Sequence, residues 1–160
     1  MKDFTHLDDQ GHVQMVDVTE KPETFRKAEA QAIVRMRHET LERILSNQIK
    51  KGNVFETARI AGIMAAKKTS GLIPLCHPLS ITHVHIDILT DTEQSTVSII
   101  SEVKTKGQTG VEMEALTAAS ISALTIYDMC KSYDKEMSIS EIYLLKKTGG
   151  KSGEFIRPTT

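Results

Sequence analysis

Hydrophobic and polar residues alternate in four stretches of the chain, and this period of two predicts β-strands with one buried face. The first stretch covers residues 27–37 and places three alanines, Val34 and Met36 on the same side. Two further stretches, residues 81–89 and 95–103, flank the polar segment TDTEQ and predict a hairpin. The last stretch, MSISEIYLLK at residues 137–146, predicts a fourth strand.

The segments between these strands carry helix signals. HETLERILS, residues 38–46, predicts a short helix. Asn53, followed three residues later by Glu56, is typical of a helix start, and we expect this second helix to run to about Thr69 and to end at Gly71. After a glycine-flanked loop, residues 106–110, a long helix follows over about residues 111–131. The order β-α-(α)-β-β-α-β predicts an α+β, ferredoxin-like fold, in which helices pack on one face of a four-stranded antiparallel sheet.

The 160 residues are most simply one domain, large enough for a hydrophobic core of its own. Residues 1–23 are polar and carry no sustained period, so we expect a flexible N-terminal arm. Glycines and charges in residues 148–160 predict a mobile C-terminal tail.

The long helix is apolar or small-sided all round between residues 115 and 127. A helix without a polar stripe has to be covered on more than its sheet-facing side. A single four-stranded sheet covers only one side, so the sequence predicts subunit packing through this helix.

Composition excludes several classes of function. Twenty Lys and Arg against twenty-one Asp and Glu give a net charge of -1, which provides no general attraction for nucleic acid or an anionic membrane. Aromatic residues make up 4% and Trp is absent, which argues against base stacking on single strands. The two cysteines form no CxxC pair and the N-terminus lacks the apolar core of a secretory signal, so we expect reduced thiols in the cytoplasm.

The segment LIPLCHPL, residues 72–79, places Cys76 and His77 between two prolines. Pro74 and Pro78 restrict the backbone, so the corner is stiff and suited to aiming a ligand-binding histidine. Adjacent residues of an extended segment point to opposite sides, which makes His77 a poor activator of Cys76 as a nucleophile. The alternative is a buried cysteine beside a histidine that is hydrogen-bonded to the backbone.

Charged residues at both ends of the long helix are further candidates. Asp128 and Lys131, at i and i+3, form either an acid/base pair or an ordinary surface ion pair. Glu112 and Glu114 lie at the other end, and Glu112 is about 24 Å from Asp128 along the axis at the helical rise per residue. One small pocket cannot use both ends of one helix, so both can be functional only if the ligand is long or the pocket joins two chains.

Other clusters allow different chemistry. His83, His85 and Asp87 form an HxHxD pattern that could bind a divalent metal, which makes a metal-dependent hydrolase the competing enzyme class. Lysines next to glycine loops, Lys50 and Lys51 in one and Lys146, Lys147 and Lys151 in the other, could bind phosphates, although neither loop matches a P-loop.

The chain also carries four distinctive segments: MVDV (15–18), KGNVFETARIAGIMAAKKTSGLIPLCHPL (51–79), TGVEMEALTAASISALTIYDMCK (109–131) and GGKSG (149–153). Together they resemble the molybdenum-cofactor biosynthesis protein C family, the cyclic pyranopterin monophosphate synthases. The resemblance implies a ferredoxin-like subunit in a homohexamer, a trimer of dimers, with active sites at subunit interfaces. It implies a lyase that converts a cyclised dihydro-GTP intermediate to a pterin bearing a cyclic phosphate, with loss of pyrophosphate.

The resemblance also implies roles for individual residues. Asp128, Lys131 and Lys51 would form the acid/base centre, and Arg26 and Lys147 would contact the triphosphate. The remaining implied residues would bind the substrate: Leu75, Cys76, His77, Glu112, Met113 and Glu114. Where the family commonly has Lys before TGVEME, this chain has Gln108, which removes a cation beside Glu112. No cofactor is required, although Mg²⁺ can accompany the triphosphate; a non-catalytic nucleotide-binding module is the alternative outside enzymes.

Overall fold

The computed structural model describes residues 10–151 and 153–158. The described residues follow the predicted βαββαβ order, and the fold is ferredoxin-like α+β. The elements along the chain are β1 (Thr24–Arg35), α1 (His38–Leu45), α2 (Val54–Ala66), α3 (Thr69–Leu72), β2 (Ile81–Asp91), β3 (Thr96–Gly107), α4 (Glu112–Cys130), β4 (Ser138–Thr148) and β5 (Phe155–Ile156).

The antiparallel sheet has the strand order β2-β3-β1-β4-β5. Its fifth strand is one more than predicted, because β5 consists of only two residues and cannot show a period. Ile156 and Phe155 pair with Lys146 and Lys147 of β4. The mobility expected for residues 148–160 stays a prediction.

The second helix begins as predicted but ends earlier than predicted. The Asn53 side chain accepts a hydrogen bond from the Glu56 amide at 3.1 Å, which confirms the cap. The helix stops at Ala66 rather than near Thr69, and Gly71 lies inside the short helix α3. The Thr69 hydroxyl donates to the Ala65 and Ala66 carbonyls at 3.2 and 3.1 Å, so a side chain satisfies the carbonyls that another helical turn would have used.

The core lies between one face of the sheet and the helices α2 and α4. The β1 residues Ala28, Ala30 and Ala32 are almost fully buried, and their small side chains let α4 lie close to the strands. Ser101 lies in this layer too, and its hydroxyl donates to the Ala115 carbonyl of α4 at 2.7 Å. A buried hydroxyl with a partner avoids the cost of an unsatisfied polar group.

The outer surface of the helical layer is partly apolar. Ile60 and Met64 of α2 are 58% and 50% exposed, and Leu124 of α4 is 52% exposed. The part of the chain that the structure describes has no helix long and apolar enough to cross a membrane.

Gly62 sets the distance between α2 and α4. A β-carbon at this position would lie 2.2 Å from the Ser122 hydroxyl oxygen and 3.0 Å from the Ala118 carbonyl. Ser122 uses that hydroxyl to reach the Ala58 carbonyl at 3.0 Å, so the two helices are joined where they approach most closely. Lys51 lies three residues before the start of α2 and Asp128 lies in the last turn of α4, so this packing also fixes how those two residues are placed relative to each other.

We expect Gly62→Ala to destabilise the fold by about 1 to 3 kcal/mol, because the added methyl group has no space between the helices. The matched control is Gly71→Ala, whose added β-carbon meets nothing within 4 Å. Urea unfolding of both variants at equal protein concentration measures the difference, and equal midpoints would contradict the steric account.

Candidate active site

Lys51, Asp128 and Lys131 form one cluster, here called the lysine–aspartate cluster. The Lys51 ammonium donates to the Asp128 backbone carbonyl at 2.7 Å and to its carboxylate at 3.0 Å. Lys131 donates to the other carboxylate oxygen at 2.6 Å. The turn before α2 and the end of α4 thus place two ammonium groups on one carboxylate, as the predicted acid/base centre requires.

The three side chains of the lysine–aspartate cluster are each about half exposed to solvent and are held together by hydrogen bonds. Hydrogen bonds from Lys131 and then from Lys51 lower the pKa of Asp128, and the hydrogen bond to Asp128 raises the pKa of Lys131. At neutral pH the cluster therefore contains an ionised Asp128 and a protonated Lys131. Asp128 therefore holds both ammonium groups in fixed positions at the end of α4.

A second group of candidates lines a cavity of about 530 Å³, here called the inner cavity. The corner after α3 contributes three of its residues, and the first turn of α4 contributes three more. These are Leu75, Cys76, His77, Glu112, Met113 and Glu114. All six substrate-binding residues implied by the family resemblance at these two motifs therefore surround one space.

Burial raises the pKa values of two side chains that line the inner cavity, Glu114 and Cys76. Glu114 is only 4% exposed, and burial raises its pKa. Burial and, secondarily, the charge of Glu114 raise the pKa of the Cys76 thiol. A thiol held protonated is a poor nucleophile, which agrees with the expectation from the spacing of Cys76 and His77.

Arg26 and Lys147 line a second cavity, of about 810 Å³, here called the cationic cavity. The guanidinium of Arg26 is held by the carbonyls of Gly107 and Gln108, at 3.3 and 3.1 Å. Gly150, at φ +77°, packs so closely that a β-carbon there would lie 1.4 Å from the guanidinium. A β-carbon on Gly149, at φ +96°, would lie 2.0 Å from the Phe25 carbonyl oxygen, so the glycine pair in GGKSG lets the loop pass close to β1.

The two cavities share a wall and together form one cleft. Lys21, Thr109, Gly110 and Glu112 line both. Across this wall the Lys147 ammonium donates to the Glu112 carboxylate at 2.8 Å. Lys147 of β4 thus supplies a cationic partner for Glu112. In the loop before α4, this chain has Gln108 where the family commonly has a lysine.

The lysine–aspartate cluster does not adjoin this cleft within one chain. Glu112 begins α4 and Asp128 lies near its end, about 24 Å apart along the axis at the α-helical rise per residue. The predicted site residues therefore meet in two groups, one at each end of the same helix.

The HxHxD pattern lies on the exposed face of β2, where its side chains contact one another and Glu102. The His85 imidazole is 3.0 Å from Asp87, and His83 is 3.7 Å from Glu102. Within residues 10–151 and 153–158, no three His, Cys, Asp or Glu side chains come together as a metal site would require. The geometry gives the metal-dependent hydrolase alternative no support.

Lys21 and two valines that precede it also line the cavities, although no pattern in the sequence predicted a role for them. Val16 and Val18 line the inner cavity, and Lys21 lines both cavities. No period marks them, because the segment forms no regular element. The MVDV segment, which carries part of the family resemblance, is the sequence signal that marks the two valines.

Comparisons with known proteins agree on one family. The family described as "MoaC family" matches residues 15–150. A protein of Desulforapulum autotrophicum is 60% identical over 156 residues, covering 98% of this chain and 96% of that protein. Proteins of Desulfatibacillum aliphaticivorans and Roseiflexus sp. RS-1 are 59% and 58% identical over 98% of this chain, and cover 98% and 99% of their own lengths. All three are named cyclic pyranopterin monophosphate synthase.

We expect Glu114→Gln to speed alkylation of Cys76 at pH 8 by about two- to fivefold, because the variant lacks the nearby charge that raises the thiol pKa. Iodoacetamide labelling followed by peptide mass spectrometry measures the rate at each cysteine. Cys130 is the internal control, since it is buried at the other end of α4 and burial raises its pKa to about 11. An unchanged rate at Cys76 would show that Glu114 does not act on the thiol.

Proposed function

The protein belongs to the MoaC family, and we propose that it acts as a cyclic pyranopterin monophosphate synthase in molybdenum cofactor biosynthesis. The enzyme is a lyase that rearranges a cyclised dihydro-GTP intermediate and releases pyrophosphate. The observation that carries this function is the two-part cleft, in which a cationic cavity adjoins an inner cavity with a buried acid.

The two parts of the cleft suit the two parts of the substrate. Arg26 and Lys147 would bind the triphosphate, and the inner cavity would hold the guanine-derived ring against Leu75, Met113 and Glu114. A cyclic phosphate forms when a hydroxyl of the substrate attacks the innermost phosphorus and pyrophosphate leaves. Fixed cations at that point stabilise the negative charge that builds up on the leaving group.

The ring chemistry requires repeated proton transfer. Opening an imidazole-derived ring and reclosing it as a pterin needs protons delivered and removed in turn, which suits Lys51, Asp128 and Lys131. Because these residues lie about 24 Å from Glu112 in one chain, the cluster of a second chain would complete each cleft. The exposed Ile60, Met64 and Leu124 on α2 and α4 support packing of a second subunit against the helices.

We further propose that the subunits form a homohexamer, a trimer of dimers in which each dimer shares its sites. We also propose that the protein is cytoplasmic. The reaction as proposed needs no cofactor, although Mg²⁺ can accompany the triphosphate. Neither metal ligands nor redox groups are needed for a rearrangement that moves protons and expels pyrophosphate.

We expect Lys131→Ala and Lys51→Ala each to fold normally and to lose turnover by about a hundredfold or more, because each removes an acid/base group. The assay incubates the protein with the cyclised dihydro-GTP intermediate and measures both pyrophosphate and the cyclic phosphate product. Lys50→Ala, a change at the neighbouring exposed lysine, is the matched control. Full activity in either cluster variant would remove the acid/base assignment.

Mixing two inactive variants tests whether sites are shared between chains. We expect Lys131→Ala and Glu114→Gln to be inactive alone and, after refolding together, to recover about a quarter of wild-type activity, since random pairing gives half mixed dimers with one intact site of two. Light scattering checks that the mixture assembles. Recovery no greater than in either separately refolded variant would place the whole site in one chain.

A further inference from the structure

The last three residues of the MVDV segment and the threonine that follows them run along the inner cavity. Residues 16–19, here called the strap, contact the cleft at both ends. The Val16 carbonyl is 2.8 Å from Nε2 of His77, and the Thr19 carbonyl accepts a hydrogen bond from the Gln108 side-chain amide at 3.2 Å. Within the strap, the Asp17 carboxylate accepts from the Thr19 amide at 2.9 Å and from its hydroxyl at 2.7 Å. The strap is therefore a folded turn fixed at two points.

The contact with Val16 determines the tautomer of His77. A backbone carbonyl can only accept, so Nε2 has to carry the hydrogen. In the neutral ring Nδ1 then keeps its lone pair and acts as an acceptor. The histidine side chain of the inner cavity is thereby prepared to receive an N–H group of a ligand through Nδ1.

We propose that Gln108 is a positioning residue: by tying down the strap it holds His77 as the Nε2–H tautomer, with Nδ1 as the acceptor for an N–H group of the substrate ring. Gln108 acts at a distance, since it touches Thr19 and not the histidine. What it supplies is a hydrogen-bond donor on a side chain long enough to reach the strap. A lysine at this position can donate in the same way, so the substitution in this chain retains the tie while removing a charge.

The effect on substrate binding rests on the proposed function, whereas the strap and the tautomer belong to the ligand-free protein. The test therefore begins without substrate. Gln108→Met keeps side-chain length and neutrality but has no donor, Gln108→Lys keeps a donor, and Gln94→Met makes the same change in the turn between β2 and β3.

Amide hydrogen exchange reports the strap. The Thr19 amide bonds to Asp17 and the Lys21 amide bonds to the Val18 carbonyl at 2.9 Å, so both are protected by the turn. We expect Gln108→Met to speed their exchange about three- to tenfold, in line with the loss of one hydrogen bond. Gln108→Lys and Gln94→Met should stay within about twofold of wild type. Exchange in Gln108→Met at the wild-type rate would overturn the proposal.

Nitrogen-15 spectra of the His77 ring report the tautomer, which a merely structural role of Gln108 would not change. Wild type and Gln108→Lys should show a protonated Nε2 and an unprotonated Nδ1, and Gln108→Met a mixture of tautomers. A wild-type ring protonated at Nδ1, or an unchanged ring in Gln108→Met, would overturn the proposal.

Kinetics with the cyclised dihydro-GTP intermediate complete the test. We expect Gln108→Met to raise KM several-fold and to leave kcat within about twofold, because the tautomer affects binding of the ring rather than the acid/base groups. A fall in kcat at unchanged KM would overturn this role. If wild type makes no product at all, the proposed function fails, and the exchange and nitrogen-15 results still decide the strap.

Discussion

The close packing of α4 against the sheet and α2 is the constraint on which the remaining structure depends. Alanines on β1, Gly62 on α2 and the hydroxyls of Ser101 and Ser122 let this helix lie close to its neighbours. Tight packing of small residues leaves little room for the helix to shift. The helix therefore acts as a rigid spacer: one end supplies the first-turn glutamates to the cleft, and the other supplies Asp128 to the lysine–aspartate cluster.

The same helix separates two carboxylates with opposite ionisation behaviour. Hydrogen bonds from Lys131 and then Lys51 lower the pKa of Asp128, whereas burial raises the pKa of Glu114. The two groups can act on one ligand only if α4 helices from two chains bring opposite ends together, which is the arrangement of the proposed shared site.

Much of the fold could be predicted because burial leaves a period in the sequence. The alternation in residues 27–37 and the cap at Asn53 gave β1 and the start of α2 to within three residues. The end of α2 was missed because it depends on the Thr69 hydroxyl, and β5 was missed because two residues carry no period. The motifs grouped the residues of each cavity, but they could not reveal the strap, which depends on a long-range contact between Gln108 and the Thr19 carbonyl.

A net charge near zero is compatible with fixed local positive charges, because each candidate cation of the proposed site has a hydrogen-bond acceptor close by. Lys51 and Lys131 bond to Asp128, Lys147 bonds to Glu112, and Arg26 bonds to two backbone carbonyls. These acceptors hold the cations in fixed positions before any ligand arrives, so little reorganisation is needed when negative charge develops. A protein with net charge -1 can in this way concentrate positive charge at particular positions without a basic overall field.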